Sequence, residues 1–155
     1  MKQAENGKII RLIATIEKDL SDLETLKNEV VEIDIHNTHP RILGSILHDF
    51  YTGIEKIFLR VASDLEGGQP QGKSWHKDLL DEMAIGLDGI RPAVIDEELR
   101  MRLEEYLRFR HLFRGIYGFQ LSQKRLEIIF EDFENIYKDV NHAIKKFIEF
   151  LRLIE

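Results

Sequence analysis

Hydrophobic residues recur every three or four positions over most of this chain and nowhere alternate with period two over a strand's length. Ile9, Ile13, Ile16, Leu20, Leu23 and Val30 step in this way, so the first ~30 residues predict one amphipathic helix. A second opens at Pro40 and carries Leu43, Leu47, Phe50, Ile54, Ile57, Val61 and Leu65 on one face. Proline suits a first helical turn, where its missing N–H has no partner to lose. The run from Gly67 to Gly72 ends that helix in a turn. A shorter amphipathic piece runs from Trp75 to about Leu87, capped by Ser74 and stopped by Arg91-Pro92. Asp96, Glu97 and Glu98 open a fourth helix by placing acids at the positive end of its dipole, and Gly118 supplies a left-handed stop. The last helix starts near Ser122 and carries Leu126, Ile129, Phe133, Tyr137, Val140, Ile144, Phe147, Leu151 and Ile154. Unbroken, it would be roughly 33 residues and ~50 Å long. The pattern predicts an all-α, up-and-down bundle of about five helices forming one domain over residues 1–155, with short loops favouring antiparallel neighbours.

Composition narrows the function. At 155 residues the chain is long enough to bury a core of its own. A net charge of −6 means that the surface as a whole does not attract nucleic acid, so any RNA contact rests on a local basic patch. The absence of cysteine removes disulfides and thiolate metal sites and fits a reducing compartment. The apolar runs near the start, such as Leu12 to Ile16, are short and sit among Lys8, Arg11, Glu17 and Lys18, unlike an export signal. No stretch reaches the ~18–20 apolar residues that span a bilayer. A cytoplasmic protein without a membrane anchor is expected.

Three local patterns suggest chemistry and are set aside. Gly67, four residues, Gly72-Lys73-Ser74 matches the phosphate-loop spelling, but a helical pattern precedes it, Pro70 removes a donor and no parallel sheet is available. Asp34, His36 and His39 match no common zinc spacing and read as polar residues ahead of a helix start. Arg41 and His48 fit a loose arginine–histidine spacing early in the second helix, where His48 reads as a surface or partly buried histidine. No metal or cofactor is expected.

The fourth helix differs. It holds Arg100, Arg102, Arg108, Arg110 and Arg114 against Glu97, Glu98, Glu104 and Glu105, with acids crowding its start and arginines its end. Part of that follows from the dipole, which cations near a helix C-terminus stabilise by ~0.3–1 kcal/mol. Tyr106, Arg110, Phe113, Arg114 and Tyr117 are spaced by three, four and seven and so share a face. Arg110 falls where Leu99, Leu103, Tyr106 and Phe113 predict partial burial. A guanidinium there needs a carboxylate, a phosphate or another subunit.

The segment from Tyr106 to Gly118 contains Arg110, four residues, Gly115, one residue, Tyr117. This resembles the Arg-x4-His-x-Tyr signature of prokaryotic HEPN toxins, with glycine in the histidine's place. Leu43 to Phe50 ahead of Ile54 to Phe58, Ser74 to Leu80, and Leu107 to Arg114 with Tyr117 to Phe119 extend the likeness over nearly the whole chain. Together they are similar to the HEPN domain of HepT-like toxins, which are partnered by the minimal nucleotidyltransferase MNT. The resemblance implies a homodimer whose motif helices line a shared cleft, and metal-independent RNA cleavage without a cofactor. It assigns the phosphate-steadying role to Arg110. Tyr117 takes the place of the tyrosine to which the partner attaches AMP. Gly115 can neither take nor give a proton, and His111, one turn earlier on the same stripe, is the candidate substitute. The candidate site is therefore Arg110, His111, Arg114 and Tyr117. The alternative is a catalytically silent HEPN subunit that only binds its nucleotidyltransferase.

Overall fold

The computed structural model describes residues 2–155. Six α-helices follow one another: α1 (Lys2–Val31), α2 (Pro40–Glu66), α3 (Trp75–Met83), α4 (Glu97–Gly115), α5 (Gln123–Glu131) and α6 (Phe133–Leu153). Short 3₁₀ turns at Ile35–Asn37 and Gly118–Gln120 precede α2 and α5. The described residues contain no strand, and the fold is all-α as the periodicity predicts.

The central element is α2, whose long apolar stripe packs against α1, α3, α4 and α5. Two of its glycines set how closely its neighbours approach. A Cβ at Gly53 would run into Leu23 of α1, and one at Gly44 into Phe113 and Leu121. The ring of Phe50 lies 5.6 Å from that of Tyr106 and 4.7 Å from that of Phe133, joining α2, α4 and α6 in one aromatic core. Asp19, buried on α1, is met by Arg60 and, at 3.6 Å, by Lys56 of α2. Asp19 faces Arg60 while Leu23 faces Gly53, so α1 and α2 run antiparallel.

Helix termini follow local chemistry. Gly67 closes α2 in a left-handed conformation (φ 79°), its N–H donating to the Ala62 carbonyl. Asp96 caps α4 by accepting from the Leu99 N–H at 2.7 Å. Ser74 occupies the cap position of α3 but makes no side-chain cap bond, and α3 ends at Met83 rather than near Leu87.

The largest departure from the sequence reading is the last helix, which is two. Asp132 (φ −99°, ψ 0°) interrupts it between α5 and α6. Neither proline nor glycine causes this break. Instead α5 is drawn toward α2 and the Ile35–Asn37 turn, where Gln123 donates to the Ile35 carbonyl at 3.0 Å. Meanwhile α6 packs on α1 and α4, and Phe130 and Phe133 both turn into the core. Tertiary packing overrides an uninterrupted helical pattern.

The connection from α3 to α4 hangs on Arg91, whose side chain is fully buried. It pairs with Glu66 and donates to the carbonyls of Ile85 (2.8 Å), Pro92 (3.1 Å) and Glu82 (3.3 Å). These bonds tie the end of α3 to the Arg91-Pro92 turn. Replacing Arg91 with Met strands Glu66 and these carbonyls, and should lower unfolding stability by about 3–5 kcal/mol in denaturant titration.

Candidate functional site

Arg110 is the buried cation that the fold leaves unpaired. It is 7% exposed on α4 and faces α2, where its Nε–H donates to Thr52 Oγ1 at a long 3.4 Å. Its Nη1 is sealed with no hydrogen-bond partner, and among the described residues no carboxylate lies within ion-pair distance. Nη2 also has no hydrogen-bond partner but is not sealed like Nη1, so it is the nitrogen through which the 7% exposed side chain reaches solvent. Of the three partners that the sequence allows for this group, the chain itself does not supply the carboxylate.

Its surroundings are polar in an otherwise apolar interior. Tyr51, on the same buried stripe of α2, has its hydroxyl fully buried and unpartnered. Burial first, and then the nearby Glu55, push that hydroxyl far above the usual tyrosine value, and Arg110 offsets part of the effect. Glu55, also buried, lies one turn beyond Tyr51 and bonds to His76 Nδ1 of α3 at 2.7 Å. The His76 ring stacks under Trp75 at 3.6 Å and meets the edge of the His111 ring at 5.5 Å. Three helices thus bring Tyr51, Thr52, Glu55, His76, Arg110 and His111 together.

His111 itself is exposed on α4. Desolvation, then the neighbouring His76 and Arg110, hold its imidazole below the ordinary histidine value. At neutral pH it is therefore an uncharged proton acceptor beside a cation, the state that general-base work requires.

The remaining candidates stand apart from this cluster. Arg114 is exposed on the last turn of α4, and among the described residues it makes no ion pair. Tyr117 does not share the face of Tyr106, Arg110 and Phe113, because α4 ends at Gly115 and Ile116 is already extended (φ −128°, ψ 159°). Its ring is 70% exposed and stacks on that of Phe119 at 5.3 Å. Gly118 is not a left-handed stop; its φ is not positive, and its missing Cβ makes room for the side chain of Arg41.

The arginines closer to the start of α4 are structural. Arg100 binds Glu97 and reaches Asp81 of α3 at 3.0 Å, and Arg102 joins Asp132 and Asp139. Arg108 lies 3.5 Å from Glu104. The three patterns set aside from sequence have local roles. Asp34 caps the first 3₁₀ turn by accepting from the His36 N–H, and His39 caps α2 by accepting from the Arg41 N–H at 3.1 Å. His48 packs its ring 5.5 Å from that of Phe113. Gly67 is the C-cap of a helix rather than the end of a strand.

Sequence reasoning missed Glu55 and His76. A signal for Glu55 exists: it sits four after Tyr51 and three before Phe58, on the buried stripe, where a carboxylate is costly unless used. His76 carries no comparable mark, since its partner is 21 positions away.

The family model described as HepT-like protein matches residues 42–151, well over half of the chain. The chain matches no curated protein and no solved structure.

The matched range includes two glycines with opposite surroundings. A Cβ at Gly115 meets nothing within 4 Å, whereas one at Gly118 collides with Arg41. Gly115→Ala should be neutral or stabilising by up to about 1 kcal/mol. Gly118→Ala should cost about 0.5 kcal/mol or less, because the exposed and flexible Arg41 side chain can move aside. Thermal melts of the two variants check the pair.

Proposed function

The chain belongs to the HepT-like family, and from that premise we propose that it is the toxin of a toxin–antitoxin pair, an RNA endonuclease built on Arg110 and His111. The observation that carries this reading is the guanidinium of Arg110, buried without a carboxylate yet with Nη2 unpartnered and not sealed. A phosphodiester supplies an anionic acceptor oxygen for the Nη2 hydrogens and a countercharge for the guanidinium.

The chemistry follows from the two neighbours. Arg110 holds the scissile phosphate and stabilises the charge that builds on its oxygens. His111, uncharged at neutral pH, takes the proton of the adjacent ribose 2′-hydroxyl, whose oxygen attacks phosphorus. The requirement for a 2′-hydroxyl makes RNA, not DNA, the substrate. Arg114, exposed on the same helix end, adds positive charge for the strand entering the site.

The reading includes a homodimer and an MNT antitoxin. The groove between α4 and α5 supports the dimer: Leu112, Ile116, Leu121 and Ile128 line it, with Arg108 and Arg125 at its rim. An apolar strip with a basic edge suits a contact between copies beside an RNA path. Tyr117 supports the antitoxin role, since a hydroxyl on a ring 70% exposed is open to a nucleotidyltransferase. The cytoplasm is the compartment in which substrate and partner meet. Gly115, with no side chain to move a proton, favours a second reading, a silent subunit that binds MNT without cleaving RNA.

RNA incubated in EDTA with the unmutated protein should be cut, and Arg110→Ala should abolish the cut. Gly115→His should raise the rate. No cleavage by any of these proteins, with a stable MNT complex on co-expression, would establish the silent subunit instead. The pH profile provides a separate check. His111 must be neutral to act and its folded pKa is depressed, so the acid limb of kcat/KM should rise with pH through a value below the ordinary ~6.5. His111→Gln should remove that acid limb and cost about 10²–10⁴ in rate.

A further inference from the structure

His76 has no part in the reaction as described, yet the fold fixes its ring from three sides. Glu55 is held inside α2 at 4% exposure, and its Oε2 lies 2.7 Å from His76 Nδ1. A carboxylate only accepts, so Nδ1 carries a hydrogen and Nε2 is the nitrogen left to react. Trp75 covers one ring face at 3.6 Å, and His111 meets the ring edge-on at 5.5 Å. Among the described residues Nε2 has no hydrogen-bond partner, and it is not among the fully buried polar atoms. A merely structural Glu–His tie between α2 and α3 would not require Nε2 to stay unpartnered on a ring that meets His111.

We propose that His76, oriented by Glu55, is the second proton-transferring imidazole of the site, donating through Nε2 to the leaving 5′-oxygen while His111 takes the 2′-hydroxyl proton. This rests on the RNA-cleavage reading and deepens it. The bond from the 2′-oxygen to phosphorus forms, and the bond from phosphorus to the 5′-oxygen breaks. The 2′ proton ends on His111 and the His76 proton on the new 5′-hydroxyl, leaving a 2′,3′-cyclic phosphate; exchange with solvent resets both rings. Glu55 is a positioning residue in this scheme. The charged groups acting on His111 besides His76 are Glu55 from α2 and Arg110 and Arg114 from α4; Tyr51, next to Glu55 and Arg110, also feels Asp81 of α3 and Glu104 of α4. The scheme uses His76 in its doubly protonated form and His111 in its neutral form, so one ring is the acid and the other the base. The pair supplies the two proton transfers in a chain where Gly115 supplies none.

The test exploits the leaving group. Uridylyl-3′,5′-adenosine expels an alkoxide that needs a proton, whereas uridine 3′-(p-nitrophenyl phosphate) expels a phenolate that does not. His76→Gln should lose about 10²–10⁴ in rate on the dinucleotide and only a few-fold on the nitrophenyl ester, while His111→Gln should lose heavily on both. Equal losses on the two substrates in His76→Gln, or none on the dinucleotide, would overturn the assignment. Should His76→Gln not fold by circular dichroism, Glu55→Gln, which keeps an oxygen for Nδ1, is judged by the same comparison. Dinucleotide cleavage abolished by Arg110→Ala but untouched by His76→Gln would sink this inference and leave the RNase reading standing. Cleavage of neither substrate by the unmutated protein would sink both.

Discussion

An arginine buried in a fold must hand its charge and its five N–H groups to something, and Arg110 hands over very little. The other buried charges of the chain are satisfied: Asp19 by Arg60 and Lys56, Glu55 by His76, Arg91 by Glu66 and three carbonyls. Arg110 has one long bond to Thr52 and a sealed, partnerless Nη1. A buried polar group left unmade costs about 1–3 kcal/mol, and more when charged. The surrounding core sustains that cost. Phe50 against Tyr106, and Phe113 against Gly44, clamp α4 onto α2 on either side of the guanidinium. The contacts with a ligand that would repay the cost are therefore prearranged, which is how binding groups gain strength in a low-dielectric site.

The rest of α4 serves that arrangement. Its first half spends the acids: Arg100 takes Glu97, Asp81 and Glu104, and Arg102 takes Asp132 and Asp139. Exposed pairs of this kind add at most about 1 kcal/mol each. Their larger effect is geometric, since they tie α4 to α3 and α6. Within α4, the arginines left without an ion pair among the described residues are Arg110 and Arg114, on a chain of net charge −6. A local basic end on an acidic protein attracts a phosphate chain to one place rather than to the whole surface.

Much of the fold was legible because helical periodicity and termination are local. Pro40, Gly67 and Asp96 each do at a helix end what their backbone or side chain allows, and α1 runs as its hydrophobic spacing predicts. What stayed hidden was set by distant contacts. The break at Asp132 arises because α5 and α6 pack on different partners, and the pattern through Ile129, Phe133 and Tyr137 gives no hint of it. The end of α4 was ambiguous, with glycines at both 115 and 118. Extending the helix to Gly118 placed Tyr117 on the face of Arg110, whereas extended backbone at Ile116 carries it away. The site was legible in part for the same reason. Arg110 and His111 stand out within one helix, but the Glu55–His76 contact joins residues 21 positions apart on different helices.

The same contrast bears on what the glycine at 115 removes. That position is the final residue of α4, and the space around it is empty. An imidazole there would have to be ordered at each encounter with substrate, at about 0.5–1.5 kcal/mol for a side chain immobilised on binding. His76 bears no such cost, since Glu55 and Trp75 already fix its ring. Proton transfer depends on holding the reacting nitrogen within hydrogen-bond reach of the substrate oxygen, so a fixed imidazole has the advantage of a pre-organised group. On the proposed chemistry, Gly115 leaves empty the one of three positions near Arg110 at which the fold would hold an imidazole least.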